Sequence, residues 1–387
     1  MKRTVMAALI SFLALTSAKG DVLKKISITR TNNAPYFFSS PDFVVSKTDA
    51  SYLKKLKVYV EAHGFKPNAE TEVTYVLSGL SWVNSQWVHD GMNQPPKSFR
   101  ALDILQAVYE RKEKYRCVEF GLVLSEVLQS SGFVTRTLAM RANDVAYGGF
   151  GKGHVAMEVW LNDLSKWIFL DGQFGAYLTR TGQSTPLNYY EIFEEKLAGR
   201  WAQLQVHFVN EPSVEKRQMQ DYKDFLNPYF GHIAVSAGHG SPSISLSLES
   251  KEMPISFQGQ PVDNVIFTHD HSVLYPEMNR VSILLNYREK IENIQEVVKK
   301  LHIETDADYL KNMASFAAVP KFTVDLKTSM PLFDKFEYRL HSSDAWNPVK
   351  GSQFDWNALE AHNKLEVRGV NQLGRAGPVT FLDLDYQ

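Results

Sequence analysis

Three residues have the types and spacing for thiol chemistry: Cys117, the only cysteine among 387 residues, His154 and Asp171. A cysteine attacks as the thiolate, so it needs a base to take its proton, and the base needs a partner that fixes its orientation. Cys117 opens "CVEFGLVLSEVLQSSG", where Phe120, Leu124, Val127 and Leu128 share one helical face and Val118, Leu122 and Val123 fill much of another. That pattern predicts a helix buried nearly all round, stopping at Gly132 as a left-handed C-cap. Cys117 would then sit in the first turn, where unpaired backbone N–H groups and the helix dipole favour thiolate. Arg111, Lys112, Lys114 and Arg116 would add to that field; Glu110, Glu113 and Glu119 would partly cancel it, and such a run also fits a solvated face. By itself, a lone cysteine fits buried filler better than a working thiol, since free cysteine is among the most buried residue types.

The histidine and the aspartate fall on two strands. In "GHVAMEVWLNDLSKWIFLDG", Val155, Met157, Val159 and Leu161 alternate with His154, Ala156, Glu158 and Trp160. After the turn, Trp167, Phe169 and Asp171 run in opposite phase to Ile168 and Leu170. Period two on both sides predicts a hairpin. A two-residue turn at Asn162 and Asp163 sets His154 directly across from Asp171. A four-residue turn makes them diagonal neighbours, still on one face and within side-chain reach. An odd loop would place the apolar rows on opposite faces, which argues against it.

The elements that must position these residues change character along the chain. Between residues 52 and 112 the apolar spacing is helical in two places, and Leu102, Leu105, Val108 and Tyr109 form one stripe after a possible N-cap at Ser98. From about residue 244 the pattern becomes short alternating runs such as "SISLSLES", "RVSILLNY", "KFTVDLK" and "VTFLDLDY", separated by turn residues, as in an antiparallel sandwich. Residues 205 to 243 carry no clear period beyond a short helix candidate.

Export determines what the cysteine can be. A positive start at Lys2 and Arg3, an apolar run from Val5 to Leu15 and small residues before Asp21 have a signal-peptide layout. The run is shorter than the roughly twenty residues that span a bilayer, so no membrane span is expected. A single cysteine cannot form an internal disulfide. Lys plus Arg is 42 against 43 for Asp plus Glu, which provides no global field to attract nucleic acid or an anionic membrane.

Cys117, His154 and Asp171 in that order, the helix "RCVEFGLVLSEVLQSSGFVTR" running into a strand, and "GHVAMEVWL" followed by "KWIFLDGQFG" together resemble the transglutaminase-like superfamily over roughly residues 75 to 180. The resemblance implies an α+β fold: a papain-like transglutaminase core, with helices packed on an antiparallel sheet, followed by a β-sandwich. The expected organisation is a signal peptide at residues 1–20, a transglutaminase-like catalytic domain at 21–205, a linker or packing segment at 206–243 and a sandwich of immunoglobulin-like or fibronectin-like type at 244–387.

The resemblance also implies roles. Cys117 would attack a carboxamide or peptide carbonyl, His154 would take the thiol proton and later protonate the leaving amine, and Asp171 would hold the imidazole tautomer. The oxyanion would meet the Cys117 backbone N–H and an upstream donor, with Trp82, Gln86, Trp87 and His89 as candidates. The expected function is therefore a secreted or periplasmic cysteine-dependent acyl-transfer enzyme acting on protein or peptide substrates. Hydrolysis is favoured over crosslinking, because the chain lacks the leading sandwich and the calcium loops of the larger crosslinking members. A second reading is a non-catalytic envelope binding protein that keeps the core as scaffold and recognises its ligand through the sandwich.

Other motifs carry less. "YGGFGKGH" has four glycines but no strand–loop–helix context and no Lys-Ser/Thr ending, so it reads as an approach to His154 and not a phosphate cradle. "THDHS" holds His269, Asp270 and His271 without a third imidazole or cysteine at ligand spacing. No metal and no cofactor is expected. Glu119 and Glu158 fit ordinary ion pairs with Arg136 or Arg141 better than a pair of catalytic acids.

Overall fold

The computed structural model describes residues 25–34, 44–143, 153–210, 216–236, 243–249, 265–288, 294–313, 319–359 and 361–386. The export signal expected at 1–20 and residues 147–152 of the glycine-rich loop lie outside them. The architecture is mixed α+β, with helices packed on antiparallel sheets.

Four helices form one layer: α1 (Ala50–Ala62), α2 (Glu72–Asn84), α3 (Ala101–Arg111) and α4 (Cys117–Ser130). Their apolar stripes converge on α4, which is buried on most sides, as its sequence pattern requires. Leu56, Val76, Leu80, Ile104, Phe120 and Val127 share one core with Met157, Val159, Ile168 and Leu170 of the sheet below. The start of α3 differs from expectation, since its N-cap is Arg100 and not Ser98. Asp103, at the third helical position, accepts from the Arg100 backbone N–H at 2.9 Å and so starts the helix two residues later. Gly132 ends α4 region with φ +84°, where a side chain would also strike Arg375.

The central sheet runs β4–β3–β2–β7–β8–β9, with β2 (Val134–Arg141), β3 (Gly153–Leu161), β4 (Lys166–Leu170), β7 (His232–Ser236), β8 (Ser243–Ser247) and β9 (Val265–Thr268). Two strands between these, β5 (Ala176–Arg180) and β6 (Leu204–Phe208), pair with each other. Helices α5 (Tyr189–Leu197) and α6 (Lys216–Leu226) cover the face of the central sheet opposite α4, over a core that includes Ala156, Trp167, Phe169, Tyr189 and Tyr222.

Sheet membership departs from the expected domain division. The segment 206–243 contributes α6 and β7, and "SISLSLES" forms β8, which pairs with β7 in the central sheet. The break expected between 243 and 244 thus falls at the start of a strand of this sheet. Alternation identifies a strand and its buried face but not its partner, which depends on packing between distant segments. At the other end, β1 (Ile26–Thr31), expected in the first domain, pairs antiparallel with β16 (Thr380–Tyr386), Ile26 lying opposite Tyr386.

In the central sheet β8 and β9 pair in parallel, whereas the two further sheets that follow are antiparallel throughout. One has the order β1–β16–β15–β12–β13, with β12 (Phe333–Arg339), β13 (Asn347–Pro348) and β15 (Ala361–Asn371). The other is β10 (Val281–Tyr287), β11 (Lys321–Thr328) and β14 (Gln353–Asn357). Ile283, Phe322 and Val324 from one and Leu365, Val367 and Leu382 from the other share a single buried core. The Asn371 side chain donates to the Gly132 carbonyl at 2.9 Å, joining these sheets to the end of α4.

Two glycines set how closely α4 approaches the strands. A Cβ on Gly121 would lie 3.0 Å from the Ala156 carbonyl oxygen of β3, and one on Gly172 would lie 3.1 Å from the Phe120 carbonyl oxygen. Both neighbours are backbone, which yields less readily than a flexible side chain. Gly121→Val should therefore lower the unfolding free energy by about 1–3 kcal/mol, read as a reduced urea midpoint. An unchanged midpoint would mean that the helix can lift from the strand without loss.

Candidate active site

Cys117 is the first residue of α4, with Arg116 as N-cap, and is partly exposed. The hairpin that carries the other two residues has a four-residue connection. Leu161 pairs with Lys166 and Met157 with Leu170, so Asp171 follows diagonally across from His154. His154 Nε2 lies 2.8 Å from Asp171 Oδ2, and both side chains are buried. That contact leaves Nδ1 as the ring nitrogen available to the thiol.

The β4 pairing stops at Leu170, before the His154 stretch of β3, and Cys117 lies against this part of the strand. Its sulfur meets the His154 imidazole and the Val155 backbone amide. Burial raises the thiol pKa, but the imidazole hydrogen bond and charge, helped by the Val155 amide, outweigh it and hold Cys117 below the ordinary thiol value. Burial likewise opposes charge on His154, yet the Asp171 carboxylate and the sulfur together push it up to about 10. Both directions favour a thiolate–imidazolium pair near neutrality.

Asp171 is held from four sides. Its Oδ1 accepts from the backbone amides of Gln173 at 3.1 Å and Phe174 at 3.3 Å, and its Oδ2 accepts from His154 and from the Tyr222 hydroxyl at 2.9 Å. Its own backbone exchanges hydrogen bonds with Ala176 at 2.9 and 3.1 Å, which closes the loop 171–176 into a tight return. Phe174 and Phe225 present edges to the His154 ring at 5.9 and 5.1 Å, limiting how far it can turn.

The charged run before Cys117 is largely self-neutralised. Arg111 pairs with Glu113 at 2.6 Å and Arg116 with Glu119 at 2.9 Å. Arg141, at the end of β2, lies close enough to feel the charge of Cys117. Burial lowers its pKa to about 10, against the pull of Cys117. Arg141 also lines a cavity of about 310 Å³ with Val118, Leu122, Ala139 and Val155.

Of the four upstream donor candidates, three have their polar hydrogens engaged elsewhere. Trp82 Nε1 donates to the His63 carbonyl at 3.2 Å, Trp87 Nε1 to the Tyr115 carbonyl at 3.3 Å, and Gln86 Nε2 to the Trp82 carbonyl at 2.6 Å. Trp87 is also stacked on Phe120 at 4.2 Å. The His89 ring makes no hydrogen bond among the described residues. Desolvation and then the charge of His154 hold its pKa below the usual imidazole value, against Asp90 and Asp171.

No protein-family model matches the chain, and comparison with curated proteins finds no match. Solved structures that it is similar to include a candidate cysteine protease from Cytophaga hutchinsonii, at 13% identity and TM-score 0.27, covering 65% of this chain and 68% of that one. Another is red sea bream transglutaminase, at 9% identity and TM-score 0.22, covering 81% and 68%. The functional reading therefore rests on the geometry.

Glu158 pairs with Arg136, and Glu119 with Arg116. In "THDHS", Asp270 accepts from the Ser272 amide at 2.9 Å and His271 stacks on Tyr190 at 4.5 Å. Among the described residues no group of three or more His, Cys, Asp or Glu is placed to hold a metal ion, and no helix is long and apolar enough to cross a membrane. Tyr222, Phe225 and Arg141 also stand at the site without a signal in the sequence: the first two lie in a segment with no readable period, and Arg141 fits an ion pair with glutamate.

Proposed function

We propose that the protein is a cysteine-dependent acyl-transfer enzyme that acts on protein or peptide amide bonds outside the cytoplasm. The observation that carries this reading is the unbroken contact from the Cys117 sulfur through the His154 imidazole to the fully buried Asp171 carboxylate. The thiolate attacks the carbonyl carbon, and the oxyanion that forms is met by the Cys117 backbone N–H and the His89 ring. Collapse breaks the C–N bond, the His154 imidazolium gives its proton to the leaving amine, and a thioester remains on Cys117. Water then attacks the thioester, His154 takes its proton, and the acid product leaves. The C-terminal pair of sheets, read as a β-sandwich, stands outside this chemistry and serves recognition or spacing.

Iodoacetamide tests the thiolate without knowledge of the substrate. Cys117 should alkylate readily at mildly acidic pH, where an ordinary thiol of pKa about 8.5 is almost inert. Because the thiol pKa is lowered, reactivity should persist as pH falls and disappear only below the shifted value. Labelling no faster than free cysteine would remove the enzyme reading. Incubation with casein and a labelled amine then separates the two outcomes of the thioester: ammonia or new N-termini are expected, and amine incorporation without them would reverse the preference for hydrolysis.

A further inference from the structure

We propose that Tyr222 is a positioning residue of this site, and that α6 thereby belongs to the catalytic apparatus although it follows the Cys–His–Asp core in the chain. The inference rests on the enzyme reading above. The Tyr222 hydroxyl donates at 2.9 Å to Asp171 Oδ2, the same oxygen that lies 2.8 Å from His154 Nε2. Together with the two backbone amides on Oδ1, this donor leaves the carboxylate no alternative orientation.

Tyr222 is itself well fixed. Its ring packs on Phe174 at 5.2 Å and Phe208 at 5.8 Å, and only 3% of its surface is exposed. Lys223, the next residue, is buried and donates to the carbonyls of Trp201, Ala202 and Leu204 at 3.3, 3.4 and 3.4 Å. Those bonds anchor α6 to the start of β6 and direct Tyr222 inward. A hydroxyl needed only for its own burial would find a backbone acceptor as useful as the carboxylate that orients the base.

The charges that bear on the device come from several elements. Tyr222 faces Asp171 and Tyr189; His154 faces Asp171, Cys117 and His89; Cys117 faces Arg141. A donor on Oδ2 draws negative charge away from the oxygen that stabilises the imidazolium. Without it, that oxygen holds the proton on His154 more tightly, while the carboxylate becomes freer to rotate.

Tyr222→Phe keeps the ring and removes only the hydroxyl. The full-length variant is compared with the native protein in turnover of casein or a peptide amide and in the pH dependence of Cys117 alkylation. We expect kcat to fall about tenfold with little change in KM. The upper step of the alkylation profile, where His154 loses its proton, should move to higher pH by roughly half a unit to one unit. Lys223→Met, which loosens the anchor and leaves the hydroxyl intact, should give a weaker loss of kcat, so the inference stays testable if Tyr222→Phe folds poorly. A thermal midpoint that falls while kcat and the alkylation profile stay native would assign Tyr222 a structural role alone and overturn the proposal. Absence of enhanced labelling in the native protein would instead defeat the enzyme reading, so the two failures are distinct.

Discussion

Asp171→Asn should lower turnover by about 10⁴-fold while leaving the chain folded. The carboxylate accepts from His154 Nε2, which keeps the ring proton on that nitrogen and leaves Nδ1 for the thiol. An asparagine in the same place can turn its NH₂ toward Nε2, which then accepts, and the ring proton moves to Nδ1, facing the sulfur. In that tautomer the ring cannot take the thiol proton, and Cys117 loses the charge that lowers its pKa. Alkylation of the variant at mildly acidic pH should fall to the free-cysteine rate in parallel. In the proposed triad the three residues act as a unit, so combining the change with Cys117→Ala should add almost nothing to the loss caused by Cys117→Ala alone. Turnover within tenfold of native would show that Asp171 does not orient the base.

Glu158→Ala should destabilise the fold by about 3–5 kcal/mol, among the largest effects expected of any single change outside the site. Arg136 and Glu158 are wholly buried opposite one another on β2 and β3, with Nη2 and Oε2 2.6 Å apart. Glu158 also accepts from the Tyr189 amide at 2.8 Å and the Tyr275 hydroxyl at 3.1 Å. The Arg136 guanidinium lies over Trp167 at 4.2 Å and Tyr275 at 4.6 Å and donates to the Leu274 carbonyl. Removing the carboxylate leaves a guanidinium in a dry core with only neutral partners. Replacing both residues at once, with Arg136→Met and Glu158→Leu, should recover most of the loss, since the destabilisation comes from the stranded charge. Urea unfolding of the two variants beside the native protein measures this, and a Glu158→Ala cost below about 1 kcal/mol would mean that water reaches the pair. His154 lies on the same face of β3, so the double variant also reports whether this packing helps seat the base.

The sequence by itself determined the local frame of the site. A cysteine at the head of a uniformly apolar helix, and a histidine and an aspartate in matching phase on two strands, follow from periods of 3.6 and 2 that need no distant partner. A turn of two residues or of four keeps His154 and Asp171 on one face, so the pairing does not depend on its length. The tertiary structure decided the rest. Whether Trp82, Gln86, Trp87 or His89 has a donor to spare depends on which carbonyl lies beside it, and for Trp82 and Trp87 those carbonyls, of His63 and Tyr115, belong to other parts of the fold. β8 reads as a strand in either setting, and its pairing with β7 instead of the C-terminal sheets depends on packing between segments far apart in sequence. Tyr222 gave no sign of its role because a single hydroxyl aimed at a carboxylate leaves no periodic trace. Long-range contacts of this kind form where separate elements dock, and only the docked arrangement specifies them.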